Sequence, residues 1–158
     1  MNKEEVVALK KEVSDHLIGE LLPFWASRII DKINGGYITH FDKDGKDSGE
    51  DEKSLIAQTR SVYTLSSAHR AGYGEGKLAA LAKHGVDFLI DKMWDKEHGG
   101  FFWMMDREGN VKIDQKIIYG HSFAIYSLSE YTLATGDPRG IEYAGKVFDL
   151  IQKYCVDS

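Results

Sequence analysis

The sequence predicts an all-α fold in which helices come in repeated pairs. Only two prolines occur among 158 residues, which leaves long stretches free to be helical, and apolar residues recur at helical spacing through most of the chain. The third observation is a repeat, since "DKINGGYITHFDKDGK" begins at Asp31 and "DKEHGGFFWMMDREGN" begins at Asp95. Each copy stands between two predicted helices, so the repeating unit is a helical pair joined by a hairpin.

The apolar spacing predicts five helices in chain order. They cover about 3–30, 52–71, 77–94, 114–135 and a last segment from 138 onward. Pro23 predicts a kink or break in the first helix. Gly136 ends the fourth, as glycine commonly does. Pro138 directly follows Asp137, and a capping aspartate followed by proline favours a helix start.

Each repeated segment predicts a β-hairpin, at about 35–45 and 99–110. Both run from a glycine pair through aromatic, β-branched or apolar residues to an Asp-x-x-Gly turn. The repeat continues into the next helix, where Lys53, Tyr63, Leu65 and Ser66 match Lys116, Tyr126, Leu128 and Ser129. This period exceeds that of common solenoids. We therefore expect the helices to ring an axis, with the more apolar helix after each hairpin inside, the amphipathic helices outside and both hairpins at one end.

The composition indicates one domain, covering residues 1–158, with its own hydrophobic core. The formal net charge is −5, which predicts neither a nucleic acid nor an anionic membrane as partner. No apolar run approaches the ~20 residues of a membrane span, and the charged start lacks the apolar centre of a signal peptide. The single cysteine, Cys155, cannot form an internal disulfide. We expect a cytoplasmic protein.

The second repeat carries a more specific likeness. The stretch "GGFFWMMDREGNVKIDQKIIYGHSFAIYSLSEYTLATGD" resembles the N-acylglucosamine 2-epimerase family, and within it the cellobiose 2-epimerases. "GGYITHFDKDGK" followed by "KSLIAQTRSVYTLSSAHR" is similar to the family's first such unit, and the resemblance runs from Phe24-Trp25 to the end. It implies an (α/α)6 barrel of twelve helices, of which this chain has material for about five. We therefore expect the N-terminal portion of such a barrel, a partial α/α toroid with short β-hairpins between helices.

The resemblance implies that Arg60 lies near the sugar, as the catalytic residue of this chain and as a substrate-binding residue. An arginine there would hold a carbonyl or hydroxyl oxygen and stabilise an enediolate. The resemblance also implies that Tyr119 faces the sugar. His121 stands where the family more commonly has glutamine; it either donates to a sugar hydroxyl, titrates near neutral pH and shares in proton transfer, or is a polar wall residue. A surface or ion-paired role is the alternative for Arg60.

Trp103 and Tyr37, one on each hairpin, are further candidates for sugar binding, because aromatic rings commonly stack on the apolar face of a sugar. Packing of the hairpins onto the ring of helices is the alternative for both. The remaining histidines lack metal-ligand spacing. "DKDGKDSGED" superficially resembles an EF-hand loop, but Lys53 stands where such a loop has glutamate. We expect no metal and no cofactor.

The activity implied by the resemblance is epimerisation at C2 of a reducing-end sugar, by deprotonation and reprotonation through an enediolate. Cellobiose, another β-1,4 disaccharide, mannose or an N-acylglucosamine would each be a compatible substrate. The family's acid/base histidines come from the later part of the barrel, so a chain that is a fragment, a split subunit or a truncated gene product should be inactive alone. Its expected partners are the missing part of the barrel or a second copy of itself.

Two alternatives come from other classes of protein. A partial helical toroid could serve as a non-enzymatic carbohydrate-binding or interaction module. An (α/α)6 glycosidase would need a pair of carboxylates across the cavity, and Glu130 is the only acidic residue well inside a predicted inner helix.

Overall fold

The computed structural model describes residues 2–155, so Met1 and residues 156–158 of the predicted domain lie outside the described part. The helices are α1 (Lys3–His16), α2 (Leu22–Arg28), α3 (Leu55–Arg70), α4 (Lys77–Phe88), α5 (Ile118–Thr135) and α6 (Pro138–Tyr154). The strands are β1 (Lys53–Ser54), β2 (Met104–Met105) and β3 (Val111–Ile113). Since α1 and α2 belong to one continuous rod, the predicted all-α class with five helices is confirmed. None of the helices in the described part is long and apolar enough to cross a membrane.

The first rod does not break at Pro23. Its residues 17–21 form a π-helical turn, in which the Leu22 N–H donates to Leu17 O, and Pro23 follows in the first turn of α2. Proline lacks an N–H, and its ring crowds the carbonyl four residues earlier. The wider turn accommodates that ring, so the helix runs through Pro23 without the predicted break. A π-helical turn is itself a usual cause of a kink, the other outcome predicted for Pro23.

The helices form two layers. Helix α3 packs most extensively against α5, while α4 packs on α3 and α6 packs on α5. The helices that follow the hairpins therefore make one layer, and the helices after them make the second, as the apolar pattern predicted. Helix α5 starts four residues later than predicted, because Asp114 to Ile117 follow β3 without helical structure.

The two predicted hairpins differ in regularity. The second is a β-hairpin, in which β2 pairs antiparallel with β3 around a tight turn closed by Asp106 N–H and Asn110 O (2.8 Å). The first has the same turn, closed by Asp42 N–H and Lys46 O (2.8 Å), but its arms meet only at isolated bridges. The predicted strand within 35–45 is therefore absent, and the strand partner of β2 on its other side is β1.

Both hairpins lie at the same end of the helices, as predicted. Antiparallel pairing of β1 with β2 brings the end of the first hairpin segment beside the second hairpin, and Arg107 forms an ion pair with Asp47 across the two. Lys53, the first residue of β1, also connects the first Gly-Gly turn to the second hairpin. Its ammonium group donates to Asp31 Oδ2 (2.8 Å), Gly35 O (2.6 Å) and Arg107 O (2.9 Å).

Lys53 and Asp31 form a buried ion pair, since each side chain is only 3% exposed. Burying charges is costly unless they are paired and fully hydrogen-bonded. Here all three ammonium protons of Lys53 have acceptors, and Asp31 also accepts the amides of Ile33 and Asn34 (both 3.0 Å). Burial by itself would raise the pKa of Asp31, but the bonds from Lys53 and from these amides lower it to about 2.

Replacing Lys53 by methionine should lower the free energy of unfolding by about 3 kcal/mol, because buried Asp31 then loses its hydrogen-bonded counter-ion and keeps only the more distant Arg107 Nε, at 3.8 Å. Urea denaturation at pH 7 measures the loss. Lys116→Met is the matched control, since Lys116 pairs with Asp95 (2.8 Å) but is 31% exposed, and it should cost clearly less.

Acid provides a second control for the same pair. The stability that Asp31 gains from Lys53 is present above its unfolded-state pKa of about 4 and is lost as pH falls towards about 2. The difference in free energy of unfolding between the wild type and Lys53→Met should therefore decrease as the pH falls from about 4 to about 2. Equal losses from both lysine variants, or a gap independent of pH, would contradict the assigned role.

Candidate functional site

Each Gly-Gly turn is attached to the helix that follows it by the same set of contacts. The aspartate that opens the turn donates its N–H to the second glycine, at 3.1 Å for Asp31 and Gly36 and 2.8 Å for Asp95 and Gly100. Its carboxylate accepts two turn amides and pairs with the lysine ahead of the next helix, Lys53 or Lys116. The repeat in the sequence is therefore a repeat of these bonds.

The residue after each glycine pair is held by a side chain from the fourth residue of α3 or of α5. The Tyr37 N–H donates to Gln58 Oε1 (2.8 Å), and Gln58 Nε2 donates back to Tyr37 O (2.9 Å). In the second copy the Phe101 N–H donates to His121 Nε2 (3.0 Å). Gln58 and His121 occupy equivalent positions, five residues after Lys53 and Lys116.

This attachment requires glycine. A Cβ on Gly36 would lie 2.8 Å from Gln58 Oε1, and a Cβ on Gly100 would lie 2.9 Å from His121 Nε2. Both glycines also have a positive φ, +68° and +80°, a region that other residues adopt rarely. The second glycine of each pair is therefore fixed both by the turn and by the side chain that reaches it.

Arg60 lies on the other side of α3 from Gln58 and is exposed. It lines a cavity of about 500 Å³ between α3 and the first rod, together with residues such as Trp25, Ile29 and Thr39. Within residues 2–155, its guanidinium group has no hydrogen bond or ion pair. All five of its N–H donors therefore remain free for a ligand.

Trp103 and Tyr119 lie together at the start of α5. The half-buried Trp103 ring packs over Gly120, where a Cβ would come within 3.0 Å of the indole. Tyr119 is the preceding residue, is 61% exposed and packs edge-on against Phe123, with ring centroids 5.1 Å apart. Glycine after the tyrosine therefore leaves room for the tryptophan ring.

Tyr37 and His121, the other two predicted sugar-binding residues, are buried. Tyr37 is fully enclosed and its hydroxyl donates to Leu81 O (2.8 Å); burial raises the pKa of this phenol. His121 is 5% exposed and uses both ring nitrogens for backbone contacts, with Phe101 N and Ile117 O. Either residue would have to give up these bonds to contact a sugar. Of the five predicted sugar-binding residues, only Arg60, Trp103 and Tyr119 therefore have side chains that a ligand can reach.

Helices α3 and α5 also meet through a pair of aromatic rings that the sequence did not mark as part of a site. Tyr63 and Tyr126 stack with ring centroids 4.1 Å apart, and Tyr126 remains 52% exposed. Tyr63 follows Arg60 by three residues, so both lie on one face of α3. The sequence repeat already indicated this pair, because Tyr63 and Tyr126 occupy matching positions in its two copies. Across the described residues, no group of three or more metal-ligating side chains could hold an ion.

Two alternating layers of helices, joined by hairpins that all lie at one end, define a segment of an α/α barrel. The sequence model of the N-acylglucosamine 2-epimerase (GlcNAc 2-epimerase) family matches residues 36–158. The chain therefore belongs to this family, as the motifs around the second hairpin predicted.

Known relatives agree with this assignment. The chain is 34% identical over 155 residues to the cellobiose 2-epimerase of Bacteroides fragilis, covering 94% of this chain and 38% of that protein. The cellobiose 2-epimerase of Dictyoglomus turgidum is 32% identical over 151 residues, again covering 38% of its length. The chain thus spans little more than a third of the length of these curated relatives.

Solved structures show the same fold. The cellobiose 2-epimerase of Bacillus thermoamylovorans superposes with a TM-score of 0.88 at 31% identity, over 96% of this chain and 38% of that one. A D-mannose isomerase superposes with a TM-score of 0.83 at 22% identity and shows the fold alone. The predicted fold class, part of an (α/α)6 barrel, is confirmed.

Proposed function

We propose that this chain supplies part of a sugar 2-epimerase that acts at C2 of a reducing-end sugar of the cellobiose or N-acylglucosamine type. The observation that carries the proposal is the free guanidinium group of Arg60, on the layer of helices that also presents Tyr119. Family membership and the names of the relatives, cellobiose 2-epimerases, support the reaction class.

The proposed chemistry is a proton exchange beside a carbonyl group. A base removes the C2 proton, the electron pair moves onto the carbonyl oxygen to give an enediolate, and an acid returns a proton to the opposite face of C2. The planar guanidinium of Arg60 donates to the oxygen on which negative charge develops. The rings of Trp103 and Tyr119 pack against the apolar face of a sugar unit.

The proton-transferring groups would come from outside this chain. The resemblance assigns them to histidines of the later barrel, and the chain covers 38% of the length of its relatives. The exposed apolar side chains at both ends of the helical array support a partner that covers them. They include Val6, Val7, Leu9 and Val13 of α1 and Ile141 and Phe148 of α6. The partner is the remaining part of the barrel or a second copy of the chain.

A carbohydrate-binding module is the second candidate. The exposed aromatic surface of Tyr119 and Tyr126 favours it, because stacking on a sugar needs no acid or base. Binding without exchange at C2, even with the rest of the barrel present, would select this alternative.

The chain alone should not exchange the C2 proton of cellobiose, lactose, mannose or N-acetylglucosamine for deuterium in D2O, because it lacks the expected acid/base histidines. Proton NMR of the C2 position detects even slow exchange. Adding the C-terminal part of a cellobiose 2-epimerase should restore exchange if the two parts assemble. Clear exchange by the purified chain would contradict the proposed division of the active site.

In the assembled protein, Arg60→Ala should reduce turnover by roughly 10²–10³-fold while weakening sugar binding much less. The enediolate carries more negative charge than the sugar, so a donor aimed at it stabilises the transition state preferentially. Steady-state kinetics on the full barrel measures both effects. Arg60→Lys should restore little of the lost turnover, because an ammonium group lacks the planar, two-pronged arrangement of donors of a guanidinium group.

Stability supplies the control for the same variant. Arg60→Ala should leave the free energy of unfolding within about 0.5 kcal/mol of the wild type, since the side chain has no partner to lose. Arg70→Ala should cost more, because Arg70 pairs with the buried carboxylate of Glu130 (2.7 Å). Near-normal turnover of Arg60→Ala, or a loss of stability large enough to explain its inactivity, would show that Arg60 is a structural residue.

A further inference from the structure

The two Gly-Gly turns are held by side chains of different chemistry. Gln58 presents an amide oxygen to the Tyr37 N–H, and an amide oxygen accepts a hydrogen bond at every pH. His121 presents a ring nitrogen to the Phe101 N–H, and an imidazole nitrogen accepts only while it carries no proton. Both side chains accept the N–H of the residue after the glycine pair, but only the bond to His121 can be lost through protonation of the acceptor.

The contacts of His121 define its protonation state. Nδ1 lies 2.9 Å from Ile117 O, and a carbonyl oxygen can only accept, so Nδ1 carries the proton. Nε2 then has the free electron pair that accepts the Phe101 N–H at 3.0 Å. A second proton, on Nε2, would point at that N–H and replace a hydrogen bond by two opposed donors.

We propose that His121 is a positioning residue that holds the second Gly-Gly turn, and the segment leading to Trp103, against α5 only while its ring is neutral. The turn would therefore be released in acid, whereas the first turn, held by Gln58, would not. This inference goes beyond the proposed epimerase function, because it concerns when the aromatic part of the site is in place.

The surroundings of His121 favour the neutral ring. The titratable and charged groups that face it are Lys116, Asp95 and His98 from the turn side and Tyr154 and Cys155 from α6, around a cavity of about 320 Å³. Burial lowers the pKa of His121, the bond to Ile117 O opposes that change, and the charge of Lys116 adds to it. The cavity leads from the ring to the exposed end of α6, which gives a proton a path to it.

The sign of the pH dependence follows from that lowered pKa. Below about pH 6.5, the unfolded chain binds a proton at this histidine that the folded chain resists. The stability contributed by the neutral ring is therefore present above about pH 6.5 and is lost as pH falls through the lower, folded-state pKa. His84 contacts the first turn at Gly36 O (3.0 Å), but a protonated imidazole still donates to a carbonyl, so acid leaves that bond intact.

Local geometry limits the release to the turn itself. The Trp103 backbone is bonded to Leu55 N (2.9 Å) and Ile113 O (3.1 Å), so the sheet holds its main chain. The ring of Trp103 packs on Gly120, the residue before His121, and is the part of the site closest to the attachment.

The test places each of the two side chains, Gln58 and His121, at the other's position. In the wild type, the protection of the Phe101 amide against hydrogen exchange, corrected for the intrinsic pH dependence of exchange, should fall by up to about tenfold per pH unit below about pH 6.5. The Trp103 indole signal should shift over the same range. In His121→Gln both changes should disappear. In Gln58→His a new acid-dependent loss should arise at the Tyr37 amide.

The ring itself gives an independent check on the wild-type protein. Nitrogen-15 shifts of His121 at pH 7 should show a neutral ring protonated on Nδ1. A ring protonated on Nε2, or an acid response of Phe101 that persists in His121→Gln, would overturn the inference. None of these measurements uses a sugar, so they are independent of the proposed activity.

Discussion

The close approach of one side chain to each Gly-Gly turn is the contact on which the rest of this structure depends. Gln58 and His121 reach turn backbone that only glycine leaves accessible. Each thereby fixes a hairpin to the helix that follows it. Gln58 and Arg60 are two residues apart on α3, and so lie on nearly opposite sides of the helix. The turn of helix that anchors the hairpin therefore also aims Arg60 away from the packed layer.

The two copies of the repeat share this geometry and differ in chemistry. Lys53 is enclosed and bridges both hairpins, whereas Lys116 remains partly exposed. Arg60 in the first copy corresponds to Phe123 in the second, which packs against Tyr119. Among residues 2–155, the first copy thus carries an arginine without an ion pair and the second carries an aromatic surface, the two features on which the proposed sugar site rests. Because the same contacts fix both hairpins, the other side chains of the two copies can differ without disturbing the fold.

The sequence predicted what depends on period and on turn chemistry. Helical spacing located the five rods, and Asp137 followed by Pro138 marked the start of α6, where the Asp137 side chain accepts from Arg139 N. It did not predict the pairing of β1 with β2, which depends on neighbours distant along the chain. It also did not predict the π-helical turn before Pro23, because a proline indicates that the helical bonding must change but not how it changes. Arg60, Trp103 and Tyr119 are accessible as expected, and Tyr37 and His121 are not. An aromatic or polar residue beside a glycine pair gives no pattern that distinguishes a ligand contact from a bond to the protein's own backbone.

A comparison of Gly35→Ala and Gly36→Ala tests the importance of the close approach most directly. Both glycines have a positive φ, +81° and +68°, so alanine is strained at either position. At Gly36 the new Cβ would come within 2.8 Å of Gln58 Oε1 and 2.7 Å of the Phe88 ring, whereas at Gly35 its nearest neighbour would be a ring carbon of Phe88 at 3.4 Å. The comparison therefore tests the close packing of the Gln58 and Phe88 side chains on the turn. Urea denaturation should therefore show a clearly greater loss of stability for Gly36→Ala than for Gly35→Ala. Equal losses would mean that backbone strain alone explains the glycine pair and that the side-chain attachment is not what the fold depends on.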